Sequence, residues 1–451
     1  MFPPRSEKYR KRKKDKQRRQ SRFWLTLNVS LIIAILALGA YYFVEDRMAP
    51  ASEGSSGDAI PVESPADSSA EEQSGRTDPS GTAEEDPKPD PKLEPEHSID
   101  PAGGSMDEGT DLIQPDLSAD EGGGAPVPGE PEDGELVHLH FAGDVIFSGS
   151  VESKLKKEGY HYPYEYVREL FENDDLSVLN LETPVTTRGT PAEDKSFVFK
   201  APPKALSSMH QAGVDAVSLA NNHTLDQGVE GLLDTMKHLK DSGIHYFGAG
   251  TNKQEAYAPV YLERKGIKIA LCGFSRVIPK ADWAAGKNKP GLAVAYDSAE
   301  AVKAVQGARQ NADLVIVMTH WGKERTTKLE KHQTTLAREF VDAGADLVIG
   351  GHPHVLQGLE RYKGKWIAYS TGNFIFTKKA SAEDTWDTAV FEAKCTKHGD
   401  CRMRLLPFRT EVGQPVPLQG EEGARILKKV ESLSRNIAID ANGAVHSLID
   451  G

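Results

Sequence analysis

LVIGGHPH, residues 347–354, runs a short apolar stretch into a turn that carries two imidazoles one residue apart. A run this short, closed by glycine and proline, has the length of a strand rather than of a helix. His352 and His354 beside Gly351 and Pro353 are a poor choice for packing, so the turn reads as a place for chemistry. Working outward, the same pattern recurs. Apolar runs at 136–141, 176–180, 214–219, 244–247, 267–274 and 314–319 alternate with helical patterns such as 228–242 and 329–343. That alternation predicts an α/β protein. Glu263-Arg264-Lys265-Gly266 and Arg361-Tyr362-Lys363-Gly364 read as hairpin turns, so antiparallel strands join the sheet and make it mixed. A helix is expected over 425–436, packed on the domain and without chemistry.

Most of the apolar runs end in residues able to bind a metal: Gly143-Asp144, Asn180-Leu181-Glu182, Asn221-Asn222-His223, Thr319-His320-Trp321-Gly322 and the His352/His354 turn. Loops at the carboxyl ends of parallel strands converge on one sheet edge, where α/β proteins place their sites. A lone Gly-Asp after a strand is ordinarily a turn or a cap, and a lone histidine is as often a satisfied core residue. Five such clusters, each at a strand end, outweigh those readings together. Asp144, Glu182, Asn222, His320, His352 and His354 are therefore the expected metal ligands. A mixed oxygen and nitrogen set suits Mn²⁺, Zn²⁺ or Fe, one or two ions, and the lack of thiolates argues against structural zinc.

The 451 residues carry a formal charge of −13, but it is segregated. Residues 1–22 hold 11 Lys/Arg and 2 acids, residues 23–44 hold no charge, and residues 45–135 hold 26 acids and 4 bases. The remainder, 136–451, balances at 39 of each, so a nucleic-acid-binding core is not indicated. The 22 uncharged residues reach about 33 Å as a helix, enough for a hydrocarbon core. They exceed the apolar core of a cleaved signal peptide, and the basic run before them keeps the N-terminus cytoplasmic. The expectation is a single-pass signal anchor in the cell membrane, a disordered acidic Pro/Gly/Ser linker over 45–135, and one extracellular domain over 136–451. Three cysteines exclude a disulfide-built scaffold. Cys395 and Cys401 flank a hairpin turn and read either as a disulfide or as two free thiols; Cys272 reads as core, and His138 and His140 as structural.

FAGDVIF (141–147), LNLETPVT (179–186), SLANNHTLDQG (218–228), THWGKE (319–324), IGGHPHVLQG (349–358) and YSTGNFIF (369–376) together resemble the bacterial capsule-synthesis CapA family, associated with poly-γ-glutamate production. Its domain is similar to the calcineurin-like metallophosphoesterases. The resemblance covers about 137–376 and fades over 377–451. It implies a metallophosphoesterase-type mixed-sheet α/β sandwich, with Asp144 as first metal-binding aspartate, Glu182 as bridging carboxylate, and Asn222 and His223 as the Asn-His pair. His223 would protonate a leaving group. His320, His352 and His354 correspond to the histidine ligands. Glu324, Asn373 and Asn180 are expected at the substrate, Glu324 alternatively orienting His320 and Asn373 buttressing the site. Ile146 stands where the phosphoesterase pattern has a histidine, which leaves one ion tightly held. Thr371 and Gly351 stand where the family usually has bulkier residues.

Three functions fit these features. The chain is a membrane-anchored component of capsule or poly-γ-glutamate synthesis or export, acting on the polymer beside membrane synthase or export partners. Alternatively it is a free-standing extracytoplasmic metal-dependent hydrolase of phosphoesters or amides, or a module that holds metal without turnover.

Overall fold

The computed structural model describes residues 136–193, 195–379 and 381–449. The expected membrane anchor and acidic linker lie outside the described residues. Among the described residues no helix is long and apolar enough to cross a membrane.

Two sheets face each other. The first runs in the order Ile437–Ile439, Ala444–Ser447, Cys401–Glu411, Asp387–Cys395, Val137–Val145, Leu176–Leu181, Ala216–Ser218, His245–Phe247. Its last four strands are parallel, and Asp387–Cys395 lies antiparallel to Val137–Val145. In the second sheet Lys365–Ala368, Leu347–Gly351, Leu314–His320 and Ile267–Ser275 are parallel. The two predicted hairpins close its edges, adding Leu359–Tyr362 and Val260–Arg264 antiparallel. The fold is thus a mixed α/β sandwich.

Residues two apart on a strand share a face. Leu139 and Phe141 from the first sheet therefore meet Leu271, Ile316 and Ile349 from the second in one core. The alternate residues face outward into helices. Leu179 and Val217 pack with Leu232, Met236 and Leu239, while Val315, Val317 and Val348 pack with Val305, Leu336 and Phe340. Strand Leu314–His320 is buried along its whole length, which explains why it reads as an unbroken apolar run rather than an alternating one.

The C-terminal part contributes more than its faded resemblance suggests. Asp387–Cys395 and Cys401–Glu411 complete the first sheet beside the strand that carries Asp144. Cys395 and Cys401 stand opposite each other in register and are joined as a disulfide, whereas Cys272 is free and buried. The terminal helix spans Gly420–Leu433, not 425–436. Gly420 and Gly423 are weak helix formers that hide its start, and Ile426, Leu427 and Val430 are the face it buries.

Candidate metal centre

The carboxyl ends of the parallel strands meet where the expected ligands lie. Asp144, near the end of Val137–Val145, is opposite Asn180 on one neighbouring strand and Asn373 on the other, with the register shifting beside it. The chain comes so close here that a Cβ on Gly143 would stand 1.9 Å from the Gly372 carbonyl oxygen; only glycine permits that approach. Asp144 is fully buried. Its Oδ1 accepts from Asn180 Nδ2 at 2.7 Å, its Oδ2 accepts the His352 backbone N–H at 3.3 Å, and Oδ2 lies 3.1 Å from His354 Nδ1. Burial opposes its charge, but His354, His320 and Asn180 outweigh burial and hold its pKa below the ordinary value.

Glu182 follows Leu176–Leu181 and is also fully buried, yet neither carboxylate oxygen receives a hydrogen bond from any described residue. Its Oε1 lies 3.2 Å from His320 Nε2. A buried carboxylate without donors is costly unless a cation compensates it. His320 ends its strand and stands edge-on to His352, with ring centroids 4.8 Å apart.

His352 and His354 both adopt left-handed backbone, φ 93° and 58°. Non-glycine residues hold such conformations where the surroundings impose them, commonly at functional sites. Buried His352 leaves Nδ1 without a partner. Burial first, then the neighbouring imidazoles, press its pKa well below the usual value and keep the ring neutral, as a ligand requires. For His354 burial acts the same way, but Glu182 and Asp144 overcome it and lift the pKa to about 10. Two carboxylates facing one another thus already draw positive charge between them.

These atoms form overlapping triads. Glu182, His320 and His352 offer ligand atoms within 4.8 Å of one another, as do Asp144, Glu182 and His354, and also Glu324, His352 and His354. Glu182, His352 and His354 each belong to two of the triads, so the candidate ligand sets overlap in one place. Ile146 is buried with its N–H on the Ile375 carbonyl at 2.7 Å and adds no ligand. Gly351 lines the same space, where a Cβ would stand 3.0 Å from Asp144 Oδ1. The unpartnered Glu182 oxygens and His352 Nδ1 fit a divalent cation.

Asn222 stands with Oδ1 2.9 Å from His320 Nε2. Beside it, His223 Nδ1 lies 2.7 Å from Asp226 Oδ2, the ring stacks on Phe199 at 4.3 Å, and the backbone N–H donates to Asn221 Oδ1. Lys195 reaches in from the loop before Phe199. Its ammonium bonds Asp226 and the Asn222 carbonyl, the latter at 2.6 Å, and lies 2.8 Å from His223 Nδ1. Burial lowers the Lys195 pKa, against the opposing pull of Asp226, Glu182 and Glu324.

Of the residues expected at substrate, only Glu324 is exposed, and it gathers with His352 and His354 rather than orienting His320. Asn180 and Asn373 are buried behind the ligands. Asn180 donates to Asp144, and its Oδ1 accepts from Asn221 Nδ2 at 3.0 Å. Asn373 Oδ1 lies 2.9 Å from His354 Nδ1 while its Nδ2 donates to the Thr385 carbonyl. Both amides are thus occupied by protein. Sequence reasoning did not single out Lys195, Asp226 or Phe199. Asp226 carried a signal, three residues after His223 in one turn; Lys195 carried none.

The family model described as "Bacterial capsule synthesis protein PGA_cap" matches residues 138–378. The chain is 32% identical over 300 residues to the capsule biosynthesis protein CapA of Bacillus anthracis, covering 65% of this chain and 72% of that one. It is 30% identical over 312 residues to the PGA biosynthesis protein CapA of Bacillus subtilis, covering 69% and 80%. Among solved structures, the Haemophilus influenzae NAD nucleotidase aligns with a TM-score of 0.36 and 12% identity, covering 68% of this chain and 64% of that one.

Proposed function

The chain belongs to the bacterial capsule synthesis protein PGA_cap family, and from that premise we propose that it is a membrane-anchored component of poly-γ-glutamate capsule synthesis or export whose strand-edge centre holds one or two divalent cations in metallophosphoesterase fashion. The observation that carries this reading is Glu182, a buried carboxylate with no hydrogen-bond donor, shared by two ligand triads. Asp144, His320, His352 and His354 complete the set, with Asn222 beside His320. Bound there, manganese, zinc or iron supplies positive charge against the oxygen of the group attacked.

The protein's own residues do the rest. Asp226 fixes His223 at Nδ1, leaving Nε2 as the ring atom that gives a proton to a departing group. Phe199 covers one face of that ring and excludes water from it. Asn180 and Asn373 orient Asp144 and His354 from behind, as outer partners of metal ligands do. Residues 23–44 anchor the chain, with 1–22 cytoplasmic and the folded domain outside. The Cys395–Cys401 disulfide supports that placement, since such bonds persist in oxidising compartments. Polymer contact falls to the folded domain, because the linker's negative charge repels a polyanion.

The test is elemental analysis of the full-length protein in detergent, with phosphoester and γ-glutamyl amide hydrolysis assayed before and after chelation. Stoichiometric metal with chelator-sensitive turnover is the expected result; no metal after supply of Mn²⁺ or Zn²⁺ contradicts the reading. A second reading, metal held without turnover, has Ile146 in its favour, and stoichiometric metal with no hydrolysis of either bond class selects it.

A further inference from the structure

Strand Ile267–Ser275 lies beside Leu314–His320 with Ser275 opposite His320. Arg276 therefore leaves the backbone just past the sheet edge that carries the metal centre, and its N–H donates to the His320 carbonyl at 2.7 Å. The side chain is half-buried, and its guanidinium stands 4.0 Å from the centre of the Tyr296 ring. Tyr296 is itself tied down, since its hydroxyl accepts the Ile278 N–H at 3.1 Å. Among the described residues no carboxylate pairs with the guanidinium and no oxygen accepts a hydrogen bond from it. Stacking on the ring thus orients the arginine and leaves the five donors of its planar fork unused.

The charge is not cancelled nearby. Burial first, and then the Arg276 charge, lower the pKa of His332 against the pull of Glu330. Glu330 is taken up in capping helix Lys331–Asp342. Asp297, beside Tyr296, accepts the Ala299 N–H at 3.1 Å, at the start of helix Ala299–Arg309. Both carboxylates are thus spent on helix starts, where the dipole favours them. The Gly322 N–H donates to His332 Nε2 at 3.3 Å. Lys323, next to Gly322, and Lys331, next to His332, are exposed and form no ion pair among the described residues. Glu324 gathers with His352 and His354 instead. Three unpaired cations therefore stand against two engaged carboxylates. The spot adjoins the metal centre, because His332 in turn acts on His352.

We propose that Arg276 is a substrate-binding residue that grips one oxyanion of the substrate, a carboxylate or a phosphate, beside the group held at the metal centre. Its place along the substrate rests on the proposed function; its choice of an oxyanion rests on the free guanidinium. The fork takes two oxygens of one group at once, and Lys323 adds charge without direction. A γ-linked glutamate chain offers a carboxylate on every unit, and a glycerol phosphate chain offers a phosphate.

The experiment is calorimetric titration of the full-length protein in detergent with a γ-linked glutamate tetramer and, separately, a glycerol phosphate tetramer, each at low and at moderate salt. Wild type is compared with Arg276→Gln, Arg276→Lys and Tyr296→Leu, and metal content and thermal unfolding are measured on every sample. The expected result is binding of at least one oligomer by wild type, weakened at least tenfold in Arg276→Gln with a shallower salt dependence. Arg276→Lys, which keeps the charge but not the fork, and Tyr296→Leu should each lose several-fold, with metal content and unfolding temperature unchanged. The oligomer that binds more tightly identifies the oxyanion. Equal affinity in wild type and Arg276→Gln, or no binding of either oligomer by wild type, overturns the assignment. Arginine-dependent binding by a protein that takes up no metal leaves Arg276 standing and removes the metal centre, so the two claims fail separately.

Discussion

One strand carries two histidine–carboxylate clusters that differ in how their carboxylates are satisfied. His140 and Asp144 are four residues apart on Val137–Val145. At His140 the buried carboxylate is satisfied: Asp174 lies 2.7 Å from His140 Nδ1 and accepts the Ser177 hydroxyl at 2.5 Å, while His140 Nε2, 3.6 Å from Glu392, makes no hydrogen bond among the described residues. At the Asp144 end, Glu182 and His352 Nδ1 are left without donors or acceptors. Composition does not separate the two clusters, since both are buried and both mix imidazole with carboxylate. The hydrogen bonding of the carboxylates does. A buried carboxylate with its donors in place belongs to the core, whereas one without them marks a place kept open for a cation.

The comparison breaks most sharply at the two central residues. Glu182→Gln should abolish stoichiometric metal binding, while His140→Gln should leave it unchanged; elemental analysis of both decides. In urea denaturation the order reverses. His140→Gln should cost about 3 kcal/mol, because it removes the charged partner of the Asp174 carboxylate. Glu182→Gln should leave the metal-free protein as stable as wild type or more so, because it removes an uncompensated charge.

The His140 contribution should also depend on pH. Burial opposes the charged ring, but Asp174 and Glu392 outweigh it and raise the pKa. A raised pKa means stability that is fully present below the unfolded value near 6.5 and is lost as pH rises through the folded value. The stability gap between wild type and His140→Gln should therefore be widest below pH 6 and narrow on the alkaline side. A gap that grows with pH would contradict the assignment.

Smaller effects lie behind the ligands. Asn373→Ala removes the group beside His354 Nδ1 and should weaken metal affinity by about 10- to 100-fold, measurable by competition with a chromophoric chelator. Gly351→Ala is the mildest. Its Cβ would sit 3.0 Å from Asp144 Oδ1, and a displacement of a few tenths of an ångström should cost several-fold in the same assay with little change in stability.

The strand ends were legible in the sequence because each joins an apolar run to a polar cluster, and that local signal survives without knowledge of the partner strands. The hairpins at 263–266 and 361–364 were legible for the same reason, as turn chemistry is local. What escaped depends on distance along the chain. Lys195 meets His223 across 28 residues, from a stretch with no periodicity of its own. Asn180 reads as a substrate contact and Asn373 as a substrate contact or a buttress, because both sit within the motifs; their occupied amides appear only when strands Val137–Val145, Leu176–Leu181 and Asn373–Ile375 lie side by side. The five strands after 386 carry no motif beyond the turn between Cys395 and Cys401, because they extend the sheet and none ends in a site residue.

Anomalous diffraction from crystals of the protein soaked in Mn²⁺ tests the central claim most directly. The account predicts a strong peak within bonding distance of Glu182 and His352, shared with His320, and a second, weaker position between Glu182, Asp144 and His354. An anomalous map with no peak at Glu182, or with its strongest peak beside His140, Asp174 and Glu392, would contradict it.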